Sequence, residues 1–256
     1  MIEQSAPPVN YAQLNARVLK QVPEGYLLVS EIFGPTFQGE GSTLGHPCLF
    51  LRLGGCNQHC VWCDTPYTWK WDEYDPKVET SIRSIQEVYA ELMITRELDK
   101  LGMLVISGGE PMMQQRSLVP LLRSLDRHYI AVEVETAGTV VPLAVFESYV
   151  TQFNVSPKLE NSGNPHQQRY RPKALDELQA TGKAKWKFVA TDPEDFAEID
   201  ELVDRHDLDP VYIMPEGKEE AAVVESLQRV AQAALDRGYR LTTRLHVLIY
   251  GNLRGV

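Results

Sequence analysis

Short apolar runs alternate with stretches of helical period along most of this chain, and that alternation constrains the fold more than any other feature. We read strands at residues 103–106, 130–135, 153–155, 184–190, 211–214 and 240–248, separated by helices near 114–127, 142–149, 172–180, 193–204 and 219–237. A helix over 81–99 leads into the first of these. Before it come β-rich segments at 26–33 and 47–53, split by a glycine-rich loop over 34–45. Apolar strands joined through helices demand a parallel sheet covered by helices, either doubly wound or curled into a barrel. In both architectures the reactive groups gather at the carboxyl ends of the strands. Helix 219–237 is the clearest amphipath, with Val223, Leu227, Val230, Ala231 and Ala234 on one apolar face, which is core.

A length of 256 residues suits one large α/β domain better than two small ones. No repeat, low-complexity tract or linker divides it. Residues 1–25 read as an N-terminal extension, because the Pro7-Pro8 pair blocks regular structure and only 11–22 could form a short docking helix; we assign it no chemical role. Residues 26–256 then form the core domain. With 35 acidic and 25 basic side chains, a formal charge of −10, the chain lacks the net basic face that gathers phosphates, so nucleic acid is not an expected partner. The first residues carry Glu3 and two prolines but no apolar export segment, and no apolar run is long enough to cross a bilayer. A soluble, cytoplasmic protein with no membrane partner is expected.

All four cysteines, Cys48, Cys56, Cys60 and Cys63, fall within sixteen residues. Without an export signal, such crowding argues for metal or cluster ligation over disulfides. Three thiolates in the loop Cys56-x3-Cys60-x2-Cys63 are soft ligands that select zinc, copper(I) or an iron-sulfur cluster. A structural zinc would need a fourth ligand, from Cys48 or His59. Cys48 lies within an apolar strand, where a buried thiol acting as a small hydrophobe is the simpler account. Three cysteines on a four-iron cube would leave one iron free for a ligand that is not protein.

Other notable loops fall on the same rim of strand ends. Ser107-Gly108-Gly109-Glu110-Pro111 follows strand 103–106, Thr136 to Gly138 follows 130–135, and Ser156-Pro157-Lys158 follows 153–155. Glycines in such a loop permit close backbone approach, and a strand-end carbonyl with Glu110 can accept hydrogen bonds from an ammonium group.

The cysteine spacing after a short strand resembles that of the radical S-adenosylmethionine enzymes, and Gly108-Gly109-Glu110-Pro111 resembles their second-strand motif. That resemblance implies an incomplete, laterally open (β/α)6-type barrel in a single α/β domain. It also implies a [4Fe-4S] cluster on Cys56, Cys60 and Cys63, with S-adenosyl-L-methionine chelated to the unique iron. Trp62, Asp64, Gly109, Glu110, Ser156, Pro157 and Lys158 match positions that hold this cofactor.

Within that superfamily, Phe37-Gln38-Gly39-Glu40-Gly41, Arg52, Cys63-Asp64-Thr65 and the tail Arg244-Leu245-His246 through Arg254-Gly255-Val256 resemble the 7-carboxy-7-deazaguanine synthases. The match spans most of residues 30 to 256. It implies ring contraction of 6-carboxy-5,6,7,8-tetrahydropterin with loss of ammonia, on the route to queuosine and other 7-deazapurines. Phe37, Gln38, Gly39, Glu40, Arg52, Ser107 and His246 are then substrate residues, with His246 expected in an apolar strand. Thr65 matches a magnesium position, Mg2+ being shared with the substrate carboxylate. An electron donor such as flavodoxin or ferredoxin and a homodimer are further implications.

Chemically the assignment is sensible, since Gln38 and Glu40 can pair with the amide edge of a pterin and Arg52 can grip a carboxylate through its fork. Two alternatives stand beside it: a glycyl-radical enzyme activase with the same cluster loop, and a non-catalytic zinc-binding interaction module. Residues 161–171, rich in Asn, Gln and Pro, read as a mobile loop without a chemical role.

Overall fold

A computed structural model describes residues 10–256; the Pro7-Pro8 pair and the start of the expected extension lie outside the described residues. Nine strands form one sheet: β1 (Tyr26–Phe37), β2 (Pro47–Leu53), β3 (Ser81–Ser84), β4 (Met103–Gly108), β5 (Ala131–Thr136), β6 (Gln152–Val155), β7 (Ala184–Ala190), β8 (Val211–Pro215) and β9 (Arg240–Leu241). Their spatial order is β3-β1-β2-β4-β5-β6-β7-β8-β9. From β2 onward every neighbouring pair is parallel, while β1 runs antiparallel to both β2 and β3. Strands β2 and β4 to β8 are the six of the expected barrel. Since β3 and β9 end the sheet without pairing to each other, the barrel stays laterally open.

Strand alternation separates core from cavity. Leu51 and Leu53, Val132 and Val134, Phe153 and Val155, and Trp186 and Phe188 are buried in one continuous core. Against them pack α3 (Gln115–Asp126) through Leu118, Leu121, Leu122 and Leu125, α4 (Pro172–Ala180) through Leu175 and Leu178, α5 (Phe196–His206) through Phe196 and Ile199, and α6 (Glu220–Asp236) through Val230 and Ala234. Each such side chain contributes roughly 1.5–3 kcal/mol by leaving water. Between these apolar positions stand Arg52, Glu133, Asn154 and Lys187, and the pleat turns them to the opposite face, toward the inside of the open barrel.

Four expected elements differ. The loop over 34–45 starts late, because β1 continues to Phe37 and pairs Thr36 with Cys48 and Phe37 with Pro47. The helix expected over 81–99 opens as edge strand β3. The helix α2 (Ile85–Ala90) begins only where Ser84 and Glu87 form a reciprocal capping box. Its next turn, Glu91–Thr95, is widened, and Glu97 at φ 53° breaks the run before Leu98–Leu101. The strand expected over 240–248 is only β9, and residues Leu245–Tyr250 form helix α7, so His246 is helical. Residues 161–171 are an ordered cover in which His166–Arg169 make a helical turn and Arg169 pairs with Glu198 of α5. The helix in the N-terminal region, α1 (Tyr11–Leu19), is seated on the loops beyond β2. Among the described residues no helix is long and apolar enough to cross a membrane.

Candidate active site

The cysteine loop leaves β2 through Gly54 and Gly55 and is fastened to the end of β4. Gly109 N–H donates to Leu53 O at 3.0 Å and Glu110 N–H to Gly55 O at 2.8 Å. A Cβ on Gly109 would lie 2.1 Å from Gly55 O and 3.0 Å from Cys56 Cβ, so glycine is required by the closeness of the two loops. Gly108, at φ +131°, brings the same turn against the backbone of Leu53.

Each sulfur of the loop accepts one N–H. Cys56 Sγ takes it from Gln58 N (3.3 Å), Cys60 Sγ from Asn164 Nδ2 (3.1 Å) and Cys63 Sγ from Trp69 Nε1 (3.3 Å). Burial pushes all three thiols above their ordinary value, so the thiolates that these donors suit need a cation or cluster to hold them. Among the described residues no three His, Cys, Asp or Glu side chains converge as ligands of a single ion would. Cys48 packs instead with Met103 and Val105, its thiol pushed up to about 12 by burial. Three separated, hydrogen-bonded thiolates fit a cluster, whose irons spread the ligands apart, better than one zinc.

These sulfurs line one end of a cavity of about 250 Å³ at the carboxyl ends of the parallel strands. Trp62, Gly109, Ser156 and Lys158 border the same end, and the Lys158 ammonium stands 5.6 Å over the Trp62 ring. The other end is polar. Lys187 Nζ lies 2.5 Å from Glu40 and 2.8 Å from Glu135, while Arg244 reaches Glu40 at 3.2 Å and pairs with Asp64. Burial alone would raise the Glu40 pKa, but Lys187 and Arg244 hold its carboxyl well below the usual range. Burial would lower Lys187, but Glu135 and Glu40 hold it above its ordinary value. Glu40 and Lys187 are therefore both charged across neutral pH.

Arg52 meets Glu31 through Nε at 2.7 Å and lies 5.0 Å over the Phe33 ring. Among the described residues neither terminal nitrogen of its fork is hydrogen-bonded, and Arg52 borders the cavity. His246 sits on Gly39: a Cβ there would be 2.1 Å from His246 Nδ1, and Leu245 N–H donates to Gly39 O at 2.8 Å. Burial lowers the His246 pKa, the largest effect on it, with Glu40 acting against that. Leu253, Gly255 and Val256 of the tail close this side.

Most of the residues expected from sequence border the one cavity: Cys56, Cys60, Trp62, Cys63, Asp64, Thr65, Ser107, Gly109, Ser156, Lys158, Phe37, Gln38, Gly39, Glu40, Arg52 and His246. Two do not. Glu110 is 1% exposed, and its carboxylate accepts from Met112 N, Thr136 Oγ1 and Ala137 N, which ties the ends of β4 and β5 together. In this structure Glu110 acts as a strut under the rim and does not border the cavity. Burial raises its pKa against those donors. Pro157 is buried and faces a small cleft toward His166 and Arg169. Gln38, though it borders the cavity, is 2% exposed and directs its amide to Glu133 and Glu135 rather than outward.

Sequence reasoning missed Glu135, Lys187, Arg244 and Asn164 as site residues. The available signal was a charged residue on the second face of an otherwise apolar strand, as in Trp186-Lys187-Phe188.

Residues 37–179 match the family described as a 4Fe-4S single cluster domain. The 7-carboxy-7-deazaguanine synthase of Pyrobaculum aerophilum is 35% identical over 231 residues, covering 89% of this chain and 96% of that relative. The one from Bacillus subtilis is 28% identical over 247 residues, covering 89% and 98%. The crystal structure of QueE from Escherichia coli superposes with a TM-score of 0.64 at 25% identity, over 89% of this chain and 98% of that one. Streptococcus suis SuiB bound to its precursor peptide SuiA, at 13% identity and a TM-score of 0.51 over 73% of this chain and 46% of that one, shares the fold alone. At such identity over nearly its whole length, the chain belongs to the 7-carboxy-7-deazaguanine synthase family of radical S-adenosylmethionine enzymes.

Proposed function

We propose that this chain contracts the ring of 6-carboxy-5,6,7,8-tetrahydropterin to give 7-carboxy-7-deazaguanine and ammonia, on the route to queuosine. The observation that carries this is one cavity lined at one end by the three cysteine sulfurs and at the other by the Lys187, Glu40, Glu135 and Arg244 side chains. When bound, the cluster supplies the electron that splits the sulfonium of S-adenosylmethionine and so the oxidant that removes a substrate hydrogen atom.

The chain's own groups bind, orient and enclose. Cys56, Cys60 and Cys63 hold the cluster. Trp62 offers a face to the adenine, while Asp64, Ser156, Lys158 and the backbone at Gly109 surround the rest of the cofactor. Glu40, held ionised by Lys187, and Glu135, which the same ammonium meets, accept from the N–H edge of the pterin, and Arg52 forks its carboxylate. Phe37 and His246 pack on the ring, with Ser107 beneath it.

The Thr65 hydroxyl would hold Mg2+, a hard ion that prefers oxygen ligands and would neutralise the substrate carboxylate. The tail and the β1–β2 loop close over the site, which keeps a carbon radical from water. A flavodoxin or ferredoxin as reductant, a homodimeric state and a cytoplasmic location belong to the same proposal. The test is anaerobic incubation of reconstituted, reduced protein with S-adenosylmethionine, magnesium and the carboxypterin, followed by mass analysis and ammonia assay. Product is expected from the wild type and none from Cys60→Ala; turnover by that variant would overturn the assignment.

A further inference from the structure

Two of the three cysteine sulfurs receive their N–H from side chains outside the cysteine loop. Asn164 comes from the segment 161–171, and Trp69 from the turn after the loop. Both donors are fixed in orientation by buried polar neighbours.

The Asn164 amide is 5% exposed, and its Oδ1 accepts His59 N–H at 2.8 Å. A backbone N–H can only donate, so the oxygen must face His59 and the NH2 must face Cys60 Sγ. Ser162, fully buried, accepts a second hydrogen from that NH2 at 3.1 Å, while its own hydroxyl donates to Leu159 O at 2.7 Å.

Trp69 is 4% exposed, and an indole N–H can only donate. Its backbone oxygen accepts Asn15 Nδ2 at 3.1 Å from α1, and Tyr11 of the same helix meets its ring edge-on at 5.0 Å. Asn15 is completely buried on an amphipathic helix, and its amide spans the Tyr11 carbonyl of its own helix at 2.8 Å and that of Trp69, which satisfies both of its donors and ties α1 to Trp69.

We infer that Asn164 and Trp69 set the reduction potential of the cluster, each through an N–H···S hydrogen bond to one of its thiolate ligands. An N–H dipole aimed at a ligand sulfur stabilises negative charge, and the reduced cluster carries one electron more than the oxidised one. Both donors therefore favour the reduced state and raise the potential. The N-terminal helix and the segment 161–171 become positioning elements of the redox centre, because each holds one donor on its sulfur.

The experiment is a redox titration of reconstituted protein without substrate, followed by electron paramagnetic resonance of the reduced cluster. Trp69→Phe keeps the ring and removes the N–H. Asn164→Asp keeps the oxygen that His59 uses and replaces the donor by an acceptor. At the wild-type midpoint the ratio of reduced to oxidised cluster is expected to fall about tenfold in each variant, a shift of about 59 mV to more negative potential for a one-electron couple. The double variant is expected to shift further. Unchanged midpoints at full iron loading would overturn the inference. So would folded variants that assemble no cluster, since the two residues would then build the site and not tune it. Neither readout involves turnover, so failure here is distinct from failure of the proposed reaction.

Discussion

Lys187 Nζ, on a strand whose neighbouring side chains are apolar core, stands 2.5 Å from Glu40, a residue 147 positions away in the loop after β1. The same ammonium meets Glu135 at 2.8 Å, so one buried cation holds two carboxylates toward the cavity. Replacing Lys187 by Met leaves two half-buried anions, with Arg244 and His246 beside Glu40, and removing the buried partner of such a pair costs about 3–5 kcal/mol. Lys187→Met is expected to lower the unfolding free energy, read from the urea midpoint and slope, by that amount and to reduce kcat/KM for the carboxypterin at least about tenfold, one factor of ten being about 1.4 kcal/mol in the transition state. A variant with wild-type stability and activity would show the pair to be idle.

The pair also defines a pH window. Glu40 has its pKa depressed in the folded chain, so its contribution is complete above the ordinary carboxyl value of 4.5 and is lost as pH falls through the lower folded value. Lys187 has its pKa raised, so its contribution is complete below the ordinary lysine value of 10.5 and is lost as pH rises through the higher folded value. The stability difference between wild type and Lys187→Met is therefore expected to be flat between those two pH values and to shrink on either side. Urea midpoints of both proteins across that range measure it; a difference that peaks at one pH inside the window would contradict the assigned directions.

Gly39 and His246 form a second long-range contact, with no room for a Cβ between them. Gly39→Ala should push the imidazole off the loop and weaken the bond from Leu245 N–H, at the overpacking cost of about 1–3 kcal/mol. KM for the substrate should rise. Adding His246→Ala removes the clash, so the double variant should recover stability without recovering affinity. Additive destabilisation in that double-mutant cycle would mean that the two residues do not interact.

The parts of this site that could be read from sequence are those whose chemistry is local. Cys56, Cys60 and Cys63 carry their meaning in their spacing, and the glycines at 108 and 109 announce a tight approach whatever they approach. The six parallel strands follow from short apolar runs. Lys187 and Glu135 were not legible, because a polar residue on an alternating strand faces solvent in most sheets and faces the lumen only when the sheet curls; Arg244 lies between β9 and α7, where no period sets the direction of its side chain. The strand-versus-helix error at His246 has the same origin, since Leu245 to Leu248 is too short an apolar run for period to decide. The segment 161–171 looked mobile from its Asn, Gln and Pro content, yet its amides are what satisfies the buried cysteine loop. Gln168, for example, receives an N–H from Gln58 at 3.0 Å and donates in turn to Asn57 O.

Gly109 offers the sharpest test of how the cluster loop is held. An added methyl would meet Gly55 O at 2.1 Å and could be relieved only by moving backbone, since neither side can rotate a side chain away. Displacing that contact breaks the bonds from Gly109 N–H to Leu53 O and from Glu110 N–H to Gly55 O, the two that fix the first cysteine relative to the barrel. Gly109→Ala is expected to purify as a folded chain with much reduced iron and sulfide per protein after reconstitution. Gly102→Ala serves as the control: it stands at positive φ, +76°, where a methyl is strained, but it opens onto free space. Its cost should be confined to about 1 kcal/mol of backbone strain, with iron loading unchanged. Equal iron content in both variants would show that the cysteine loop does not depend on its contact with the end of β4.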